Sequence, residues 1–267
     1  MVKELSSSPI AQGRTAEIYS WGDQQILKLY RDWCPPDWVD YEARIAHAVH
    51  ESGIPSPEVG EIVGVGGRRG LIYERLEGPS MLENMNARPW MLLNYARSLA
   101  ELHRQIHRQS ISGLPTYKDR LEYDIRDNPH LSEALRNKAV ALLSSLPDEE
   151  KICHGDFHPG NVIITKSGPI VIDWMTACVG SPAADVARTS LLLSIGAKAA
   201  GKQVRPLIRM AIKLYDHTYL HRYRTLEPET IKDAARWRPV IAAARLRENI
   251  IPEREALIQM VREHFVD

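Results

Sequence analysis

At 267 residues and 44% apolar content, the chain is long enough for one large domain or two lobes around a substantial core. Basic and acidic side chains each number 34, so no net field directs it to nucleic acid or a membrane surface, and neither is expected as a partner. No run approaches the roughly 18 apolar residues of a spanning helix. The start M-V-K-E-L-S-S-S-P lacks a signal peptide's apolar stretch, and Cys34, Cys153 and Cys178 have no C-x-x-C spacing, so a cytoplasmic protein with reduced thiols is expected. Charge is uneven along the chain: residues 1–189 hold 20 basic and 25 acidic side chains, and residues 190–267 hold 14 and 9.

The first 76 residues read mainly as strand. A short turn, A-Q-G-R-T-A-E-I-Y, carries the single glycine Gly13 with Arg14, and its small neighbours Thr15 and Ala16 let backbone amides approach an anion. The runs from Glu17 to Trp21 and from Gln25 to Tyr30 alternate apolar and polar residues around Gly22-Asp23, a hairpin turn signal, and Lys28 falls on the polar face of the second run. From Asp37 to Ser52 the spacing is helical, with Val39, Ile45, Ala46 and Val49 apolar, Glu42 near the start and Gly53 as the stop. A further hairpin runs from Val59 through Gly66-Gly67-Arg68-Arg69-Gly70 to Leu76. The change from strand to helix at Gly78-Pro79 is the expected boundary, giving lobes of residues 1–77 and 78–267.

Beyond it the pattern is helical. From Trp90 to His107, Leu93, Ala96, Leu99, Ala100, Leu102, His103 and Ile106 keep the spacing of a buried helix, in which His103 reads as a packed core residue rather than a ligand. Further helices are expected from Leu131 to Leu146, Pro182 to Ile195, Pro206 to Tyr223 and Glu229 to Asn249, the last kinked or split at Pro239. Their arginine-rich faces read as solvated surface.

Between these helices lies the most informative stretch, I-C-H-G-D-F-H-P-G-N-V-I-I-T-K-S-G-P-I-V-I-D-W, from Ile152 to Trp174. Two apolar runs flank Lys166-Ser167-Gly168 and make a hairpin. Asn161 enters the first strand and Asp173 closes the second, which brings an amide oxygen and a carboxylate to one end. Such oxygen ligands suit a hard cation such as magnesium. Asp156, five residues before Asn161, faces a different group and is the candidate base.

H-G-D-F-H-P-G-N-V followed by I-V-I-D-W resembles the signature of the aminoglycoside phosphotransferase and choline kinase group, small-molecule relatives of the eukaryotic-type protein kinases. His154, Asp156, Asn161 and Asp173 match it in identity, order and spacing. The resemblance extends over most of the chain, through a lysine on the third strand, a glutamate-bearing helix, a hinge and a helical lobe. It implies an α+β, two-lobed protein-kinase-like fold, with an N-terminal antiparallel-sheet lobe for nucleotide and a larger helical C-terminal lobe for the catalytic loop and acceptor. It also implies transfer of the γ-phosphoryl group of ATP, with Mg²⁺, to a hydroxyl of a small molecule; the single-glycine loop leaves GTP open.

Because that transfer passes through a loose transition state, positioning and cations matter more than covalent help. The resemblance implies that Lys28 holds the α- and β-phosphates beside the loop of Gly13, Arg14, Thr15 and Ala16, and that Glu42 directs Lys28, with Asp40 and Glu51 as competing acids. Tyr73, Glu74 and Leu76 would form the hinge, backbone groups of Glu74 and Leu76 meeting adenine. Asn161 and Asp173 would ligate the metal. Asp156 would accept or orient the hydroxyl proton, an effect of about 10² to 10⁴ in rate. His154 and Asp185 would support the loop, Gly155 and Gly160 would allow tight turns, and Trp174 would pack or fill space.

A polycationic acceptor calls for an acidic surface, which Asp119, Glu122, Asp124, Asp127, Glu248 and Glu253 could supply against the basic C-terminal segment. An amino alcohol or sugar is the alternative acceptor. Two other classes compete. A catalytically silent nucleotide-binding scaffold would have lost Lys28, Asp156, Asn161 or Asp173, and all are present. A zinc protein would use Cys153, His154, His158 and Cys178, although adjacent strand residues point to opposite faces.

Overall fold

The computed structural model describes residues 8–199 and 206–265; the first seven residues, weighed above for a leader, lie outside them. The chain opens with β1 (Ala11–Gln12), β2 (Ala16–Ser20) and β3 (Gln25–Tyr30), then α1 (Asp37–Glu51), β4 (Val59–Val65) and β5 (Arg68–Glu74). The five strands form one antiparallel sheet in the order β1-β2-β3-β5-β4. Strand alternation sorts the side chains onto two faces. Leu71 and Tyr73 pack with Val39, Ala43 and Ala46 of α1, and Ile72 turns away to join Leu27 and Leu29. On β3, Ile26 and Tyr30 lie on the α1 side, so Lys28 between them faces α1 as well. The expected polar face is thus a buried one, and the lysine sits beneath a helix.

The chain continues through α2 (Met81–Ala87), a 3₁₀ turn at Pro89–Met91, α3 (Leu92–His107), α4 (Tyr117–Arg126), α5 (Glu133–Ser145) and β6 (Lys151–Cys153). The hairpin of β7 (Val162–Thr165) and β8 (Gly168–Val171) follows, then β9 (Cys178–Gly180), α6 (Pro182–Ala199), α7 (Pro206–Leu226), α8 (Pro228–Arg245) and α9 (Ile251–Phe265). Neither α4 nor α9 was expected. Six of the ten residues of α4 are charged, which blurs its apolar stripe, yet Thr116 caps it by accepting from the Asp119 N–H at 3.1 Å. Pro239 does not split α8, which runs on to Arg245. It removes one backbone donor, and Trp237, Val240 and Ile241 around it are fully buried, so packing offsets that loss. A 3₁₀ turn and Asn249, left-handed at φ 55°, then reverse the chain into α9.

Two compact units result. One ends at Ser80 and includes Asn161–Met175; the other comprises Met81–Gly160 and the chain from Thr176 onward. A single cut into 1–77 and 78–267 does not follow this division, because the β7–β8 hairpin bonds back to earlier chain. The Ile164 N–H donates to Pro79 O at 2.9 Å, Val171 N–H donates to Pro55 O at 2.8 Å, and Ser80 bridges to Ile163. Gly78, at φ 150°, passes so close that an added Cβ would collide with the Ile164 carbonyl oxygen. Gly78→Ala is expected to lower the thermal midpoint by about 5 °C or more, from a cost of roughly 2 kcal/mol. A calorimetric shift below about 2 °C would show that the passage is not tight.

Candidate active site

In the sheet unit, three charged side chains meet. Lys28 Nζ donates to Glu42 Oε1 at 2.8 Å and to Asp173 Oδ1 at 3.1 Å. Burial opposes the lysine's charge, but the two carboxylates outweigh it and hold the ammonium above its ordinary value. Tyr73 donates its hydroxyl to the same Glu42 oxygen at 2.7 Å. The other oxygen, Glu42 Oε2, is buried without a partner among the described residues, an unmet group of the kind that calls for a functional explanation. Of the competing acids, Asp40 pairs with Arg69 at 2.7 Å, and Glu51 lies exposed at the helix end.

The hairpin delivers the acid. Ile172 N–H donates to Asn161 O at 3.0 Å, one step beyond the Val162–Val171 pair, so Asn161 and Asp173 emerge at the same end. Asp173 has φ 65°, uncommon outside glycine and typical of residues held for function, and its carboxylate is about half exposed. A buried amide side chain and a carboxylate, both oxygen donors, fit a magnesium ion's preference. Trp174 is buried, and its ring N–H donates to Val171 O at 3.0 Å.

The remaining expected nucleotide residues are partly committed. Gly13 N–H closes its own turn on Ala16 O at 2.8 Å, so the Gly13 amide is not one the loop would offer. Glu74 N–H donates to Glu58 O at 2.9 Å, so its carbonyl is the hinge group it would present; Leu76 is half-buried just beyond β5.

In the helical unit, the loop from His154 to Phe157 is held by Asp185. This buried carboxylate accepts the backbone N–H of His154 at 2.6 Å and of Gly155 at 3.0 Å, and stands 3.0 Å and 3.3 Å from Nε2 of His103 and His107. Tyr219 and Tyr223 hydroxyls lie 2.7 Å from the Nδ1 atoms of His103 and His107. One protonation pattern satisfies all of it, with each tyrosine donating to Nδ1 and each Nε2–H donating to an ionised Asp185. Burial alone would raise the Asp185 carboxyl, but the two histidines outweigh it and hold it well below the usual range. Burial pulls His103 down to about 3, so it stays neutral. His103, His107 and Asp185 lie close enough to share a metal ion, yet both ring nitrogens of each histidine are already engaged. His103 is thus a hydrogen-bonded core residue.

Within the loop, Asp156 N–H donates to His154 Nδ1 at 3.2 Å, Thr176 Oγ1 donates to His154 O at 2.8 Å, and Gly155 adopts φ 77° against the Thr176 carbonyl. Asp156 lies 3.7 Å from both His158 Nε2 and Arg188 Nη2. Burial would raise its carboxyl, but these neighbours outweigh that and keep it well below the carboxylate range. Sequence reading missed Arg188, His107, Tyr219 and Tyr223. The signals were there: Asp185 and Arg188 stand at i, i+3, and both the histidine and the tyrosine pairs at i, i+4.

The zinc arrangement is not formed among the described residues. Cys153 and Cys178 oppose each other across β6 and β9, while Nδ1 of His154 and of His158 accept from Asp156 N and Gly160 N. Of the acids available to a polycation, five are ion-paired: Glu122 to Arg126, Asp124 and Asp127 to Arg247, Glu248 to Arg188 and Glu253 to Arg245. Among the described residues, no helix is long and apolar enough to cross a membrane.

An antiparallel sheet bearing a lysine–glutamate pair, together with an H-G-D loop anchored by a helix aspartate, defines the protein-kinase-like class. Within it, the chain belongs to the phosphotransferase enzyme family, whose model matches residues 7–226. No curated protein sequence matches the chain. Solved structures share its fold at low identity. An aminoglycoside-3'-phosphotransferase of type VIII has TM-score 0.61 and 20% identity, over 91% of this chain and 92% of its own. A thermostable mutant of aminoglycoside phosphotransferase APH(4)-Ia, in ternary complex with ADP and hygromycin B, has TM-score 0.63 and 15% identity, over 97% and 92%. A choline/ethanolamine kinase family protein from Mesorhizobium loti has TM-score 0.58 and 15% identity, over 95% and 85%.

The buried histidine sets an acid limit on stability. His103 titrates lower in the folded chain than the ordinary 6.5, so the unfolded chain gains its proton first, and stability falls as pH drops from about 6.5 towards 3. Asp185, also depressed, adds a loss below about pH 4. Thermal midpoints measured from pH 7 to 4 should decline, and His103→Gln, which cannot titrate, should flatten the slope. An unchanged slope would mean that His103 does not titrate as described.

Proposed function

We propose that this chain is an ATP-dependent kinase that transfers the γ-phosphoryl group to a hydroxyl of a small molecule. The observation that carries the reading is Lys28 held between Glu42 and Asp173 in the sheet unit. With Glu42 fixing its direction, Lys28 binds the α- and β-phosphates as a point charge. Arg14 and Thr15 amides close on the phosphates, and the Glu74 carbonyl and Leu76 N–H receive adenine. Mg²⁺, held by Asn161 and Asp173, would neutralise charge on the phosphate oxygens. Asp156, ionised and fixed through its backbone to His154, accepts or orients the proton of the attacking hydroxyl. His154 and Asp185 keep that loop in place. An ATP-using enzyme with three free thiols suits the cytoplasm.

Asp156→Asn is expected to keep nucleotide affinity while turnover falls by about 10² to 10⁴. Near wild-type turnover in that variant would remove Asp156 from its role. Asp173→Ala should weaken magnesium–nucleotide binding, and an unchanged magnesium titration would count against the ligand assignment. ATP consumption measured across aminoglycosides, amino alcohols, sugars and macrolides would identify the acceptor. Because five of the acids a polycation would seek are already paired with arginines, uncharged sugars and single-charge amino alcohols belong in the panel on equal terms.

A further inference from the structure

Five ionised side chains of alternating sign form a chain in the helical unit, and it ends on Asp156. Asp156 Oδ1 lies 3.7 Å from Arg188 Nη2, which donates to Glu248 Oε1 at 2.8 Å. Glu248 Oε2 accepts from Arg245 Nη1 at 3.0 Å, and Arg245 forks onto Glu253 at 2.6 and 2.9 Å. Arg188, Arg245 and Glu253 are all buried. Buried charges are poor stabilisers, since apolar side chains of similar size often serve as well or better. Arg188 also leaves its Nε–H buried without a partner among the described residues. The guanidinium is therefore not placed for its own satisfaction; its Nη2 is placed between Asp156 and Glu248.

On the phosphotransferase reading above, we propose that Arg188 is a positioning residue for phosphoryl transfer. Locked by Glu248, it holds the Asp156 carboxylate ionised and in one orientation, so that Asp156 receives the acceptor hydroxyl as a hydrogen-bond acceptor and a weak base. In the step that follows, the acceptor oxygen forms its bond to the γ-phosphorus while the bond from that phosphorus to the β–γ bridging oxygen breaks, releasing ADP. The hydroxyl proton passes to Asp156 late, once bonding to phosphorus has made that oxygen acidic. The gap of 3.7 Å exceeds a direct hydrogen bond, so the influence is electrostatic, and it is strong because Arg188 is buried. His158 and His154 face Asp156 from its own loop, Arg188 faces it from α6, and Glu248 stands behind Arg188 with the opposite charge.

The test follows the Asp156 carboxyl by carbon-13 NMR against pH in the full chain, assigned through Asp156→Asn, alongside MgATP turnover with water as the acceptor. Arg188→Gln removes the charge and keeps a donor for Glu248. It should raise the Asp156 midpoint by about one pH unit or more, and lower kcat by about tenfold with the MgATP KM within twofold. Arg188→Lys should restore most of both. Glu248→Gln, which leaves the Arg188 charge in place, should leave the midpoint low and keeps the question answerable if Arg188→Gln does not fold: a rise there would overturn the proposal. So would an unmoved midpoint in Arg188→Gln, or a kcat loss that Arg188→Lys does not recover. Wild-type protein that turns over no MgATP would sink the kinase reading, and the titration would still decide whether Arg188 governs Asp156.

Discussion

A carboxylate sealed from water must collect donors or lose its charge, and Asp185 collects four N–H groups. Two come from the backbone of His154 and Gly155, and two from histidine rings on α3. Because a carboxylate accepts in fixed directions, the loop that carries Asp156 has no freedom to shift without orphaning a donor. The tyrosines of α7 complete the arrangement by settling each histidine's tautomer. Three segments far apart in sequence are thereby joined through one side chain, and the geometry of Asp156 inherits their rigidity.

In the sheet unit the corresponding constraint is the two-residue period of a strand. Lys28 faces α1 only because Ile26 and Tyr30 do, and their burial fixes the register of β3. A slip by one residue would send Lys28 to the other face and place Leu27 or Leu29 opposite Glu42. The apolar packing of the strand therefore aims the ammonium.

The sequence made some of this legible and hid the rest for identifiable reasons. The H-G-D-F-H-P-G-N and I-D-W strings lie within one short stretch, so their end-to-end convergence on a hairpin follows from local pairing alone. Lys28 and Glu42 meet because strand and helix periods are regular, although reading the Lys28 side of its strand as the polar face, and the arginine-rich helix faces as solvated, masked the burial of charge. The same assumption hid Arg188, Arg245 and Glu253, whose burial depends on how α6, α8 and α9 pack and on nothing in their neighbours along the chain. It also hid α4, where charge dilutes the stripe, and the continuity of α8 through Pro239, where packing overrides a local breaker. Partners more than a hundred residues apart, such as His103 with Tyr219, have no local signature beyond matching helical spacing.

The return of the hairpin to Pro55 and Pro79 bears on how the protein comes to exist during synthesis. The sheet unit is made of two pieces of chain separated by the 80 residues of Met81–Gly160, so it cannot be completed when its last sheet strand leaves the ribosome. Until Asp173 has been translated, Lys28 has Glu42 as its only carboxylate partner in the triad, and Pro55, Pro79 and Ser80 wait for the β7–β8 strands. The unit with the lower residue numbers is thus finished only after α2 to α5 have emerged, and a fragment that stops at Ser80 carries the lysine without the acid it was built to meet.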